Sequence, residues 1–168
     1  MMRTILFAWL IALPAMVSAS DFVTLFMERC AEGSRPLNNV NIGKDMLHQM
    51  AENATDETLK EAFGKLNSIR IISSDSKRDS RHYFRKADEL VREAYADYRE
   101  VVSVNEQDTR ISVWLKEVSD EEQHLILLSL DEEGKFTVIT VTGVIDFNSI
   151  ARLSGSLKDK PELMEQTN

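Results

Sequence analysis

One cysteine, three prolines and six glycines among 168 residues exclude several classes of protein at once. A single Cys cannot close an internal disulfide, and so little Gly and Pro rules out collagen-like and low-complexity chains. Positive charge is scarce as well: 20 Lys and Arg face 28 Asp and Glu, a net charge of −8 with a predicted pI near 4.9. Phosphate contacts need clustered Lys and Arg, so nucleic acid is excluded as a partner class. Beyond the first twenty residues no apolar run is long enough to span a bilayer. What is present, 43% hydrophobic and 29% charged residues, fits one ordinary globular domain.

The single long apolar run lies at the start of the chain. Arg3 supplies a positive beginning, Ile5 to Val17 is almost wholly apolar, and Val17-Ser18-Ala19 places small residues where a signal peptidase reads them. We read residues 1–19 as a signal peptide cleaved after Ala19. A membrane anchor fits less well, because the run is shorter than the roughly 20 residues a span requires and Pro14 interrupts it. Cleavage leaves 149 of the 168 residues, enough to bury a core without staples. The expected location is outside the cytoplasm, in the periplasm of a Gram-negative bacterium. Cys30 follows Phe26-Met27-Glu28-Arg29 and not an apolar segment ending in small residues. The protein is therefore expected to be soluble rather than lipid-anchored, with Cys30 a small hydrophobe on a helix face.

Hydrophobic spacing organises the rest. Asp21 to Ala31 predicts a short helix with Phe22, Leu25 and Phe26 on one side, ended by Gly33 and Pro36. Val40-Asn41-Ile42 is a short extended stretch, and Met46, Leu47 and Met50 then repeat at helical spacing. Thr55 is read as the N-cap of a further helix through Leu66. Ser68 to Ser73, with Ile69, Ile71 and Ile72, predicts the first substantial strand, and Ser74 to Ser80 a polar loop. Tyr83, Phe84, Ala87, Leu90, Val91, Ala94, Tyr95 and Tyr98 form the apolar stripe of a long helix over Arg81 to Tyr98. Four strands follow, Arg99 to Val104, Arg110 to Val118, His124 to Leu130 and Phe136 to Val144, with connections short enough for an antiparallel meander. Ile111, Val113 and Leu115 alternate with Ser112, Trp114 and Lys116, the signature of a sheet with one solvated face. Leu125 to Leu128 is apolar on both faces, so that strand is either central or has one face against something else. Asp146 is read as the N-cap of a last helix closing at Gly155, and residues 156–168 as a flexible polar tail. The fold class expected is α+β: a four-stranded antiparallel meander plus one further strand, with amphipathic helices mainly on one face and a single domain over residues 20–155.

Several local patterns together resemble a bacterial exported family, domain of unknown function 4252, common in Bacteroidetes-type envelopes. They are Val40-Asn41-Ile42 leading to Met46-Leu47, Leu66 to Ile72, the helix end Asp97-Tyr98-Arg99-Glu100-Val101-Val102, and Thr140 to Asp146 followed by Ile150 and Leu153. Gln123-His124 stands where the family carries an acidic residue before its Leu-rich strand. The resemblance implies a small exported α+β protein and supplies no catalytic residue.

No reactive constellation emerges from the residues themselves. Ser74-Asp75-Ser76-Lys77 has a Ser-x-x-Lys spacing, but the partner motifs Ser-Asp-Asn and Lys-Thr-Gly are absent. His48, His82 and His124 lie in separate elements without zinc-ligand spacing. His82 with Asp79 and Ser80 are sequence neighbours, which seldom reach triad geometry. The acidic turns Asp120-Glu121-Glu122 and Asp131-Glu132-Glu133 lack the spacing of a calcium loop and suit solvated hairpin tips. Lys77, Arg78 and Arg81 form the one basic cluster, which reads as a solvated loop. We therefore expect no enzyme, no cofactor and no metal. The preferred reading is an exported envelope protein acting through protein–protein contact, with a possible regulatory role, and with Trp114 as the candidate partner-binding residue. The alternative is a small-molecule binder or weak hydrolase whose pocket lies between the sheet and the long helix, lined by Tyr83, Tyr95 and Tyr98.

Overall fold

The computed structural model describes residues 19–30 and 37–147. Residues 1–18 of the expected signal peptide, the expected last helix beyond residue 147 and the expected tail at 156–168 lie outside the described residues. Four helices and six strands follow in the order α1 (Ala19–Cys30), β1 (Asn38–Ile42), α2 (Lys44–Asn53), α3 (Glu57–Lys65), β2 (Leu66–Ser74), α4 (Lys77–Ala94), β3 (Arg99–Asn105), β4 (Arg110–Ser119), β5 (Glu122–Leu130) and β6 (Phe136–Gly143).

All the strands join one antiparallel sheet in the order β1-β2-β6-β5-β4-β3. The expected meander is present as β3 to β6, and β5 lies inside the sheet between β4 and β6. The strand total corrects the expectation of five. Asn38 to Ile42 pairs residue by residue with β2, from Asn38 opposite Ser73 to Ile42 opposite Ile69, and so forms a sixth strand at one edge. Its two apolar residues gave too little alternation to mark it as a strand without knowledge of its partner.

Boundaries moved where polar side chains bond the backbone. The segment read as a loop before the long helix is mostly helix, since α4 starts at Lys77. The Ser80 hydroxyl donates to the Ser74 and Ser76 carbonyls at 3.2 and 2.9 Å, and the Ser76 hydroxyl donates to Asp79 Oδ2 at 2.7 Å. These serines satisfy a helix start instead of a loop. The same helix ends at Ala94, short of Tyr98. Asp56, not Thr55, caps α3, its carboxylate accepting from the Thr58 N–H at 2.8 Å.

Cross-strand register separates the two faces of the sheet. One carries Ile72, Trp114, Ile126, Leu128, Leu130, Phe136 and Val138, and joins α1 and α4 in a core with Phe22, Phe26, Tyr83, Leu90, Val91, Tyr95 and Tyr98. The other carries Ile42, Ile69, Val113, Leu115, Leu125 and Val141, and meets Leu47 and Ala51 of α2 and Ala62 and Phe63 of α3. The helices are thus divided between both faces, which corrects the expected one-sided arrangement. The alternation in β4 also resolves in the unexpected sense. Ser112, Trp114 and Lys116 point toward α1 and α4, so the strand's more polar face is its helix-covered one.

Glycine is required at the end of β6. Gly143 has φ +132°, and a Cβ there would lie 2.6 Å from the Lys65 carbonyl oxygen and 2.7 Å from Leu66 Cα. The same carbonyl accepts the Val144 N–H at 3.0 Å, tying the exit of β6 to the α3–β2 junction.

Candidate functional site

The residues expected to line a pocket sit in the core beneath the helices. Tyr83, Tyr95 and Tyr98 are all buried. Aromatic side chains of α1 occupy the space between Tyr83 and Tyr95: Phe22 meets Tyr95 edge-on at 5.3 Å, and Phe26 meets Tyr83 at 6.3 Å and Phe136 at 5.7 Å. Tyr95 and Tyr98 form an edge-to-face pair at 5.5 Å. The tyrosine stripe therefore divides, with Tyr83 in one aromatic cluster and Tyr95 and Tyr98 together at the other end of α4.

Trp114 lies in the same core and is only 7% exposed. The Arg92 guanidinium stacks over its ring at 4.8 Å, and Arg92 reaches Glu100 at 3.5 Å. Glu100 also accepts from the Ser112 hydroxyl at 2.9 Å. A hydrogen bond to Asp88 raises the Arg92 pKa above its ordinary value, so the cation over the indole is permanent. The ring was expected on a solvated face; it faces the helices because β4 turns that face inward.

The end of this covered face is polar. Register places Lys116, His124, Thr142 and Ser68 in one row across four strands. Lys116 pairs with Asp97 and lies over the Tyr98 ring at 5.9 Å. His124 Nε2 meets Glu122 at 2.8 Å, and the Ser68 and Thr142 hydroxyls are 2.7 Å apart. His124 Nδ1 and Trp114 Nε1 are both buried without a hydrogen-bond partner, an arrangement that costs stability unless a polar group meets them. His48 and His82 are remote, on α2 and α4. Among the described residues no three His, Cys, Asp or Glu side chains gather where they could hold a metal ion. Cys30 is half-buried, and desolvation raises its thiol pKa, so the neutral thiol is favoured.

Sequence reading missed a feature of the opposite face, because it depends on strand order. Val40 opposes Ile71, Ile71 opposes Ile139, Ile139 opposes Leu127, Leu127 opposes Val113, and Val113 opposes Val102. An unbroken aliphatic row crosses all six strands, about 24 Å at ordinary strand spacing. Val40, Ile71, Leu127 and Ile139 are half-buried, Val113 is buried, and Val102 is 40% exposed. The helices α2 and α3 pack against the adjacent row, which holds Ile42, Ile69, Val141, Leu125 and Leu115. On the other side the next row is polar on four strands, with Asn38, Ser73, Thr137 and Ser129, and aliphatic on the last two, with Ile111 and Val104. An aliphatic strip with a border that is polar over most of its length has the anatomy of a protein interface.

Among the described residues no helix is long and apolar enough to cross a membrane. No curated protein and no solved structure matches the chain. A family profile, described as a domain of unknown function (DUF4252), matches residues 33–153. That match takes in every described element except α1, including both the polar row and the aliphatic strip, and so the chain belongs to the domain of unknown function 4252 family.

Proposed function

We propose that the protein is a non-catalytic, exported cell-envelope protein that works by docking another envelope protein on the strip Val40–Ile71–Ile139–Leu127–Val113–Val102. One observation carries this reading: a six-residue aliphatic row runs uninterrupted across the sheet, with only partial cover on most of its members. Soluble chains seldom leave such strips without a use. A photoreactive residue at Val102 or Leu127, activated in intact envelopes, is expected to yield a discrete adduct, whereas the same group at exposed Arg85 on α4 is expected to yield none. Adducts of equal yield from all three positions, or none from the strip, would count against the docking face.

A small-molecule site on the helix-covered face is the second reading. It is favoured by the unpartnered His124 Nδ1 and Trp114 Nε1 beside Lys116 and Tyr98. Such a ligand would offer both a donor and an acceptor, as a hydroxyl does. A compound that raises the melting temperature of the wild type but not of His124→Ala would favour this reading.

A further inference from the structure

Strand β1 is built unlike the others. Three of its five residues are Asn, which strands disfavour, and none is charged. It nevertheless pairs with β2 at every position from Asn38 to Ile42, without a register shift. Among the described residues no element pairs with its other side, so backbone N–H and C=O groups stand open along that edge. The helices leave the edge clear on both faces, since α1 and α4 rest mainly on β2, β5 and β6, and α2 on β2. At the opposite edge β3 carries Arg99, Glu100 and a register shift. β1 has none of the charge, proline or bulge by which sheets block their edges.

We propose that β1 is the seat of a homodimer, pairing antiparallel with β1 of a second copy about a two-fold axis at Val40. A second copy is the occupant because the strand is complementary to itself in this register. Val40 of one copy meets Val40 of the other, Asn39 meets Asn41, and Asn38 meets Ile42. Val40 is half-buried and ends the aliphatic strip, so the Val40 pair joins the strips of two copies into one row over twelve strands. On the face toward α1, Asn39 and Asn41 are both exposed. Their amides carry donors and acceptors and can bond across the join, as asparagine ladders do between paired strands. That gives a use to asparagines at positions where strand propensity opposes them. Charge points the same way. Each copy carries −8, so two copies repel unless they meet where no acidic side chain stands, and β1 is such a place. At its ends the charges are balanced: Lys44 and Asp45 beyond Ile42 come to face the Asp75–Lys135 ion pair beside Asn38 of the other copy. A ladder of five residues is only about 17 Å long, less than a tight interface needs. Association is therefore expected at micromolar concentrations.

Sedimentation velocity of the purified protein over about 1–300 μM tests the dimer. A concentration-dependent monomer–dimer equilibrium is expected, and a monomer throughout would overturn the proposal. The double variant Asn39→Glu/Asn41→Glu sets Glu opposite Glu twice across the axis and is expected to weaken the dimer about tenfold or more. Asn39→Lys/Asn41→Glu changes the same two exposed positions but sets Lys opposite Glu, and is expected to pair at least as well as the wild type. A dimer indifferent to the first variant would place the contact elsewhere, and loss of the dimer in both would overturn the Val40 register. Hydrogen exchange of the wild type, below and above the dissociation constant, needs no variant. The amides of Asn38 to Ile42 should slow on association while those of β3 do not, and slowing at β3 or at neither edge would overturn β1 as the seat. Both measurements use one purified protein, so their failure leaves the docking of another protein on the strip untouched.

Discussion

At the scale of single residues, the glycines separate into positions where the backbone demands glycine and positions where it does not. Gly143 combines φ +132° with backbone atoms closer than 3 Å to where a Cβ would stand. Those atoms belong to Lys65, Leu66 and Asn67 and cannot rotate away as a side-chain tip would. Gly143→Ala is expected to lower stability by about 2 kcal/mol or more, read from the midpoint of urea unfolding. Gly64 lies within α3 with nothing inside 4 Å of the added methyl. Gly64→Ala should raise the same midpoint, by about 0.5–1 kcal/mol, because it removes unfolded-state freedom and favours helix. The pair is informative because the chemical change is identical and only the site differs. A destabilising effect at both sites would show that something other than backbone conformation governs them.

The elements were legible in the sequence where their evidence was local. The long helix announced itself through the stripe from Tyr83 to Tyr98, and the meander through alternation broken by short polar connections. Gly134 in the last hairpin has φ +78°, a left-handed conformation that glycine adopts without strain. Three features escaped, each for a non-local reason. Asn38 to Ile42 is a strand only because β2 lies beside it. Periodicity in β4 separated two faces but could not say which would receive α1 and α4, so Trp114 was expected toward solvent and lies under Arg92 instead. The aliphatic strip required all five strand pairings before it became visible. The candidate site was correspondingly less legible than the fold: the expected tyrosines are present in the core but split by Phe22 and Phe26, and the strip was not foreseen. Helix α1 is a separate case. The family match begins at residue 33, after α1 has ended, although α1 supplies three fully buried side chains. A sequence boundary is thus not the boundary of the core. Phe22→Ala, which empties a site against Tyr95 without touching the matched region, is expected to cost about 3–5 kcal/mol. Equilibrium denaturation measures it, and a cost below about 1 kcal/mol would mean that α1 is peripheral despite its burial.

At the scale of the whole molecule, stability must be graded from the middle of the sheet outward. β5 and β6 are each paired on both sides, and Ile126, Leu128, Phe136 and Val138 between them are 0% exposed. β1 and β3 are the edges, and β3 carries two features that discourage a further strand: a register shift between Glu100 and Val102, and a charged end where Arg99 pairs with Glu117 at 2.8 Å. Surface ion pairs of that kind contribute little to folding, so their use here is to keep the edge unpaired. Strand addition at β3 is therefore disfavoured, and on that side the face of the sheet is left as the surface for contact. Native-state hydrogen exchange should reflect this order, with the amides of Leu125 to Leu128 and Val138 to Val141 among the slowest, opening only with global unfolding, and the amides of β1 and β3 faster. Addition of a partner that docks on the aliphatic strip should slow exchange in several strands together, since side-chain contacts on a face stabilise the whole ladder beneath them. A partner that slowed β3 alone would be adding a strand at the edge, and that pattern would redirect attention from the Val40-to-Val102 row to the backbone of Arg99–Asn105.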